Sequence, residues 1–187
     1  DVVNLRAMFS PLGPAEGSIE ASLTVLAELQ RQGLIRHIGL SNVTPTQIAE
    51  GRRICEIVCV QNHYNLANRA DEALIDGLAA DGIAYVSFFP ASGFSEHQAL
   101  RLSEIAERVC ARPRQVALAW LLHNPWVTTP FVGPRTVDQL DTALRALDVE
   151  WSSELAEAID RIFPGPVREA PDAFWPIPGI QLAPSIA

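Results

Sequence analysis

The stretch GLIRHIGLSNVTPTQI, residues 33–48, contains the pattern that decides the fold. Its apolar run IRHIGL is typical of a buried strand, and Thr44 followed by Pro45 is typical of an N-cap and the first position of a helix. Two polar residues, Ser41 and Asn42, stand where the strand is expected to end. A strand that leads directly into a helix indicates a parallel α/β unit, with ligands expected at the carboxyl end of the strand.

The same alternation of short apolar runs and helical patterns extends along the chain. The predicted strands are 1–6, 35–40, 57–61, 83–89 and 127–133, and the predicted helices are 18–33, 44–54, 70–82, 99–111, 112–123, 136–148 and 152–163. Ser18 is the predicted N-cap of the first helix, and Gly33 is its predicted C-terminal stop. The alternation predicts a parallel sheet covered by helices over 1–163, followed by a Pro-rich extended tail at 164–187.

Composition excludes several classes of protein. The chain has 187 residues, of which 48% are apolar, and a formal net charge of −8. A chain this acidic is not expected to bind nucleic acid, and without an apolar run of about 18 residues it is not expected to enter a membrane. Cys55, Cys59 and Cys110 lie in apolar runs, which predicts reduced thiols and no metal site. These features predict a soluble cytoplasmic protein of one domain.

Polar and aromatic side chains recur at the carboxyl ends of the predicted strands. In chain order these ends are Arg6, Ser41-Asn42, Gln61-Asn62, Phe88-Phe89-Pro90 and Gly133-Pro134-Arg135. Each polar residue taken singly is more often a cap or a turn residue. Their recurrence at one edge indicates a shared ligand, because hydroxyls and amides match a carboxamide and a ring offers a stacking surface. A Gly/Arg turn before a helix suits a phosphate.

Four segments of the chain together resemble the C-terminal part of an aldo-keto reductase. They are RQGLIRHIGLSNVTPTQI, VQNHYN, RPRQVALAWLL and VGPRTVDQLDTALRALDVEWSSELAEAID. The resemblance implies a (β/α)8 barrel of the TIM type, of which this chain would supply five βα units and a C-terminal helix. It also implies NADP(H) bound across the C-terminal rim. The implied reaction is hydride transfer between the nicotinamide and a small-molecule carbonyl substrate or alcohol.

The resemblance implies cofactor-binding roles for ten residues. Ser41, Asn42 and Gln61 would contact the carboxamide, and Phe88 would stack on the nicotinamide. The backbone of Phe89, Pro90 and Ala91 would line the pyrophosphate. Gly133, Arg135 and Gln139 would meet the adenosine phosphate region. Ala143 stands where the family often has Asn, and Pro134 stands where a Ser or Thr is common. These departures leave the preference between NADPH and NADH open.

The resemblance also implies catalytic groups that this sequence does not contain. The family's reaction uses a Tyr that a Lys, itself paired with an Asp, makes more acidic. The chain has no Lys, and its tyrosines are Tyr64 and Tyr85. Tyr85 is expected in the core and Tyr64 in a loop that faces a substrate. Arg6 stands at the position of the family His and is the one catalytic candidate, with a salt bridge at the strand end as the alternative reading.

Little carbonyl reduction is therefore expected from this chain alone, and two other functions fit the same residues. One is a non-catalytic NADP-binding or regulatory module. The other is an assembly unit, because a part-barrel has two exposed edges through which copies would self-associate.

His63 is a further candidate for substrate contact, while His37 is expected in the core or at the rim. Phe174 and Trp175 of the tail are expected to be apolar pocket walls.

Overall fold

A parallel five-stranded sheet organises the chain, in strand order β1-β2-β3-β4-β5, in a computed structural model that describes residues 1–10 and 13–165. The strands are β1 (Val2–Arg6), β2 (His37–Ser41), β3 (Ile57–His63), β4 (Ala84–Phe88) and β5 (Thr129–Phe131). The helices are α1 (Glu20–Arg31), α2 (Pro45–Arg52), α3 (Glu72–Ala80), α4 (Glu96–Arg108), α5 (Pro113–Leu122), α6 (Val137–Leu144) and α7 (Ser153–Asp160), with a 3₁₀ turn at Arg145–Asp148. The predicted α/β alternation is confirmed.

The hydrophobic core lies between one face of the sheet and the helices. Ile38, Leu40, Val60 and Tyr85 point into it from three neighbouring strands and are almost completely buried. From the helical layer, α5 contributes a run in which every residue from 115 to 121 is buried. Burial of this amount of apolar surface is the main force that holds the helices on the sheet.

The opposite face of the sheet, called the inner face here, carries the alternate side chains. Gly39 of β2 lies there in register with Asn4 and Cys59 on the flanking strands. A Cβ at Gly39 would lie 2.5 Å from Cys59 Sγ and closer still to Asn4 Oδ1, so glycine is required by its neighbours. Burial raises the pKa of the Cys59 thiol, which points at Asn4 Oδ1 across 3.4 Å.

Local start and stop signals explain most helix boundaries. The Thr44 hydroxyl accepts the Gln47 N–H at 3.3 Å, and Pro45 is the first residue of α2, as predicted. Gly33, with φ of 76°, follows the end of α1 in the left-handed conformation that glycine adopts at little cost. These two boundaries were predictable because only a few residue types suit each position.

Other predicted boundaries are wrong. Ile19, not Ser18, is the N-cap of α1. The Ser18 hydroxyl lies one residue earlier, where it donates to the Glu50 carboxylate at 2.5 Å and accepts the Glu20 N–H at 3.2 Å. The helix predicted over 99–111 begins earlier, at Glu96, since Ser95 forms a capping box with Gln98. β3 continues past its predicted end to His63.

Three predictions concern the periphery of the fold. His37 is exposed at the start of β2, at the opposite end of the strand from the carboxyl-end rim. Its expected place in the core or at the rim is therefore wrong. Residues 166–187 lie outside the described residues, and with them the predicted tail, Phe174 and Trp175. Within the described part of the chain, no helix is both long and apolar enough to cross a membrane.

Candidate cofactor and substrate site

A polar row runs across the inner face at the carboxyl ends of β1, β2 and β3. Its members, Arg6, Ser41 and Gln61, are in register on adjacent strands, as expected from their positions in the sequence. Arg6 Nη1 donates to Ser41 Oγ at 3.1 Å, and Ser41 Oγ donates to Gln61 Oε1 across a longer 3.5 Å. The second contact is weak at this length, so a ligand amide can exchange for it at small cost. Three of the predicted site residues are thus brought together.

Three rings lie directly above this row. The rings of Phe88 and His63 are stacked, with centroids 5.7 Å apart and planes inclined by 13°, and the Arg6 guanidinium lies 5.0 Å from the Phe88 centroid. These neighbours leave Phe88 only 9% exposed, whereas Phe89 is 63% exposed. The more accessible aromatic surface therefore belongs to Phe89, although the sequence suggested Phe88 as the stacking ring.

Asn42 has a local structural task. It adopts φ of 57°, a left-handed conformation that Asn tolerates better than most residues. Its Nδ2 donates to Ala7 O at 2.9 Å and to Gly13 O at 3.4 Å, which ties β2 to the segment after β1. Both amide hydrogens are directed at the backbone, so a carboxamide contact by Asn42 would have to use its side-chain oxygen. The proposed role of Asn42 toward the cofactor stays a prediction.

His63 is held by two asparagine side chains. Asn65 Nδ2 lies 3.2 Å from His63 Nε2, and Asn68 Nδ2 lies 3.0 Å from Nδ1. Asn65 is oriented by its own oxygen, which accepts two backbone N–H bonds, and its Nδ2 faces His63 Nε2 together with two backbone carbonyl oxygens. Burial lowers the pKa of His63, while the charge of Asp71 acts in the opposite direction. An imidazole with an asparagine side chain against each ring nitrogen is a structural group rather than a free acid.

Asn65 also fixes the segment after β4. Its Nδ2 donates to Phe89 O at 2.7 Å and to Ser92 O at 3.1 Å, while the residue itself is fully buried. Phe89 needs such support, because its φ of 50° is unfavourable for an aromatic residue. The backbone of Phe89, Pro90 and Ala91, predicted to line a pyrophosphate, is thus held from β3. Sequence reasoning missed Asn65, although its position two residues past a strand end was a usable signal.

The turn between β5 and α6 follows the same edge of the sheet. Arg135 and Gly133 are exposed there, and Thr136 caps α6 by accepting the Gln139 N–H at 3.2 Å. Gln139 Oε1 accepts the Arg135 N–H at 2.7 Å, so it closes the turn in addition to any contact with a ligand. Asp138 lies in the first turn of α6, where a carboxylate opposes phosphate binding. The Arg135 side chain is the cation at this turn.

Neither tyrosine reaches the inner face. Tyr64 is fully buried and stacks on Trp120, so its expected position facing a substrate is wrong. Tyr85 is in the core, as predicted, and its hydroxyl donates to Asp71 at 2.8 Å. Burial, and then the Asp71 charge, raise the pKa of Tyr85. Both phenols face the helices, because strand alternation places them on the side opposite the polar row.

A parallel strand–helix sheet with polar and aromatic groups at its carboxyl edge defines a TIM-type α/β protein with a ligand site at the rim. Residues 8–163 match the model of the Aldo/keto reductase family. The chain therefore belongs to the aldo-keto reductase family of oxidoreductases. Its described part is a partial barrel of that fold, as the resemblance implied.

Relatives with solved structures or curated names support this assignment. Pyridoxine 4-dehydrogenase of Escherichia coli (strain K12) is 57% identical over 87% of this chain and 57% of its own length. An uncharacterised oxidoreductase of Schizosaccharomyces pombe is 34% identical over 72% of this chain and 44% of its own. The crystal structure of the thermostable aldo-keto reductase Tm1743 with the inhibitor epalrestat has a TM-score of 0.72 and 32% identity, over 87% and 59% of the two chains. The chain thus spans about half the length of these relatives.

Proposed function

We propose that this chain forms the cofactor-binding part of an NADP(H)-dependent oxidoreductase that interconverts a carbonyl compound and its alcohol. The observation that carries the proposal is the alignment of Arg6, Ser41 and Gln61 in one row, with Phe88 beside them. Hydroxyl, amide and guanidinium groups lie side by side on this face. They match a ligand that is polar at one end and flat.

The described residues fit a nicotinamide dinucleotide in most respects. Ser41 and Gln61 would hold the carboxamide in place of their long mutual contact, and Phe88 would cover the ring. The exposed Arg135 would meet a phosphate, assisted by Gly133, which leaves room for close approach. When bound, NADP(H) would supply the hydride donor or acceptor. A ring that stacks on Phe88 would compete with the Arg6 guanidinium for that surface.

The chain alone is expected to bind cofactor without turning over a carbonyl substrate. The sequence has no Lys. Both tyrosines are buried on the helical side, so neither can protonate an alkoxide at the inner face. The Arg6 guanidinium can polarise a carbonyl but remains charged near neutral pH, so it is no acid there. In this proposal the acid comes from the part of the barrel that the relatives contain and this chain does not span.

The name of the relative at 57% identity extends the proposal to a substrate. We propose that the complete protein acts on a ring-bearing primary alcohol of the pyridoxine type and on the corresponding aldehyde. The aromatic side chains beside Arg6 support a flat substrate. A cytoplasmic location also stays a prediction, supported by the three free thiols.

A titration and a turnover assay test the proposal together. NADPH binding is followed by fluorescence of the chain and of the Gln61→Ala and Arg135→Met variants. The expected result is saturable binding that each variant weakens about tenfold, the value of one charge-assisted or well-placed hydrogen bond. No NADPH oxidation is expected with 4-nitrobenzaldehyde. Robust turnover by the chain, or binding that neither variant alters, contradicts the proposal.

Self-association is a second candidate function, which the exposed edges favour. β1 and β5 end the sheet, and Val2, Val3 and Phe131 on these strands are 48%, 40% and 58% exposed. Exposed apolar strands with unpaired backbone groups pair readily with another copy. Sedimentation of the purified chain is expected to show an oligomer, and a stable monomer at high concentration would argue against it.

A further inference from the structure

Arg6 carries a charge that none of its neighbours among the described residues neutralises. Its guanidinium contacts the Ser41 hydroxyl at 3.1 Å and the face of Phe88 at 5.0 Å, both of which are neutral. Within residues 1–10 and 13–165, no carboxylate lies at ion-pair distance from Arg6, whereas seven other arginines have such a partner. The salt bridge that the sequence left open as an alternative is therefore not formed in this part of the chain.

The hydrogen bonds of the row leave donors for a ligand. A guanidinium can only donate, so Ser41 Oγ accepts from Arg6 and turns its own hydrogen toward Gln61 Oε1. The Gln61 amide nitrogen and the other N–H groups of Arg6 are then available on the inner face. An edge made of donors selects a ligand with two or more acceptor oxygens, and a planar fork binds two adjacent ones best.

We propose that Arg6 binds the substrate through two neighbouring oxygens, the reacting carbonyl and an ionised hydroxyl on the adjacent ring carbon. The ligand class is an aromatic aldehyde with an ortho hydroxyl, a class to which both salicylaldehyde and pyridoxal belong. The ring of Phe89, which is 63% exposed, favours this class over an aliphatic oxo acid, since a flat ring can stack there. The inference rests on the proposed function, because it places this substrate beside the proposed nicotinamide position.

Two isomeric probes test the proposal without requiring turnover. Salicylaldehyde carries its hydroxyl next to the aldehyde and 4-hydroxybenzaldehyde carries it opposite, so only the first presents adjacent oxygens. Binding of each to the 187-residue chain is measured by calorimetry at a pH where both hydroxyls are ionised. The absence of lysine removes the usual site of Schiff-base formation. We expect salicylaldehyde to bind about tenfold more tightly, the value of a second charge-assisted hydrogen bond.

Variants assign this preference to Arg6. Arg6→Met should remove it, and Arg6→Lys should keep only a small part, because an ammonium lacks the planar fork. Arg36→Met is the matched control, since Arg36 is an exposed arginine paired with Asp1 at the other end of the sheet and should not affect the preference. Circular dichroism and urea midpoints of all variants establish that they are folded.

The outcomes separate this inference from the proposed function. Equal affinity for the two isomers, no binding of either, or a preference that survives Arg6→Met each overturns the role of Arg6. NADPH titration of the same samples reads the proposed function independently. If NADPH binds while the isomers are not distinguished, only the inference fails, and if NADPH does not bind, the proposed function fails on its own evidence.

Discussion

The side chain of Asn65 provides a sharp test of how the site is held together. It is fully buried between the end of β3 and the segment after β4. Its Nδ2 contacts Phe89 O, Ser92 O and His63 Nε2 at 2.7, 3.1 and 3.2 Å. Its Oδ1 accepts the backbone N–H groups of residues 67 and 68, both at 2.9 Å. Replacement by Ala removes all of these contacts at once.

The size of the effect follows from these contacts. The two amide hydrogens serve at most two of the three Nδ2 contacts at once, so with the two bonds to Oδ1 the side chain makes at most four hydrogen bonds. At a net stabilisation of about 1 kcal/mol each, they would sum to about 4 kcal/mol if each were lost completely. Residues 67 and 92 are exposed, so their backbone groups regain water in the variant. We therefore expect Asn65→Ala to lower the free energy of unfolding by about 3 kcal/mol. Release of the segment at Phe89 should also weaken NADPH binding about tenfold.

Urea unfolding followed by circular dichroism measures the first quantity, and NADPH titration measures the second. Asn68→Ala is the control, because it removes one contact to His63 Nδ1 and a long 3.4 Å contact to the Ala70 N–H. That variant should cost about 1 kcal/mol and leave NADPH affinity almost unchanged. If the two variants are equally stable, the assignment of Asn65 as the residue that fixes this segment is refuted.

Three further predictions concern stability. Gly39→Ala should lower the free energy of unfolding by about 2 kcal/mol, since its new Cβ overlaps two inward-facing side chains. Gly77→Ala in α3, where a new Cβ would have nothing within 4 Å, should raise the free energy of unfolding by up to about 1 kcal/mol. Urea midpoints of the two variants check both signs. Burial lowers the pKa of His63 in the folded chain, so only the unfolded chain gains a proton just below the ordinary value of 6.5. Stability should therefore fall as pH drops below that value, and unfolding of His63→Gln across pH 5 to 8 should lack this component. Tyr85→Phe removes the 2.8 Å bond to Asp71 and should cost about 1 to 2 kcal/mol by thermal unfolding, and no loss would mean that this bond contributes little.

Local signals in the sequence predicted the order of strands and helices. Thr44-Pro45 and Gly33 specify helix ends through their own backbone preferences, so they can be recognised without knowledge of their neighbours. Ser18 shows the limit of this approach, because the cap position falls on Ile19 and the Ser18 hydroxyl donates to Glu50, which is 32 positions away. The register of the polar row was also predictable in outline, since parallel strands of similar length end at one edge.

The sequence alone determined the family, the parallel sheet and the set of polar groups at its rim. Only the tertiary structure decided which of those groups bind backbone carbonyls and which stay available on the inner face. Asn42 and Gln61 are both amides at strand ends, yet the Nδ2 of Asn42 is bound to backbone carbonyls and Gln61 lies on the inner face. The physical reason is that the hydrogen-bond partners of Arg6, Ser41 and Asn42 lie 20 to 35 positions away in the chain. Strand pairing, and not local sequence, brings such residues into contact.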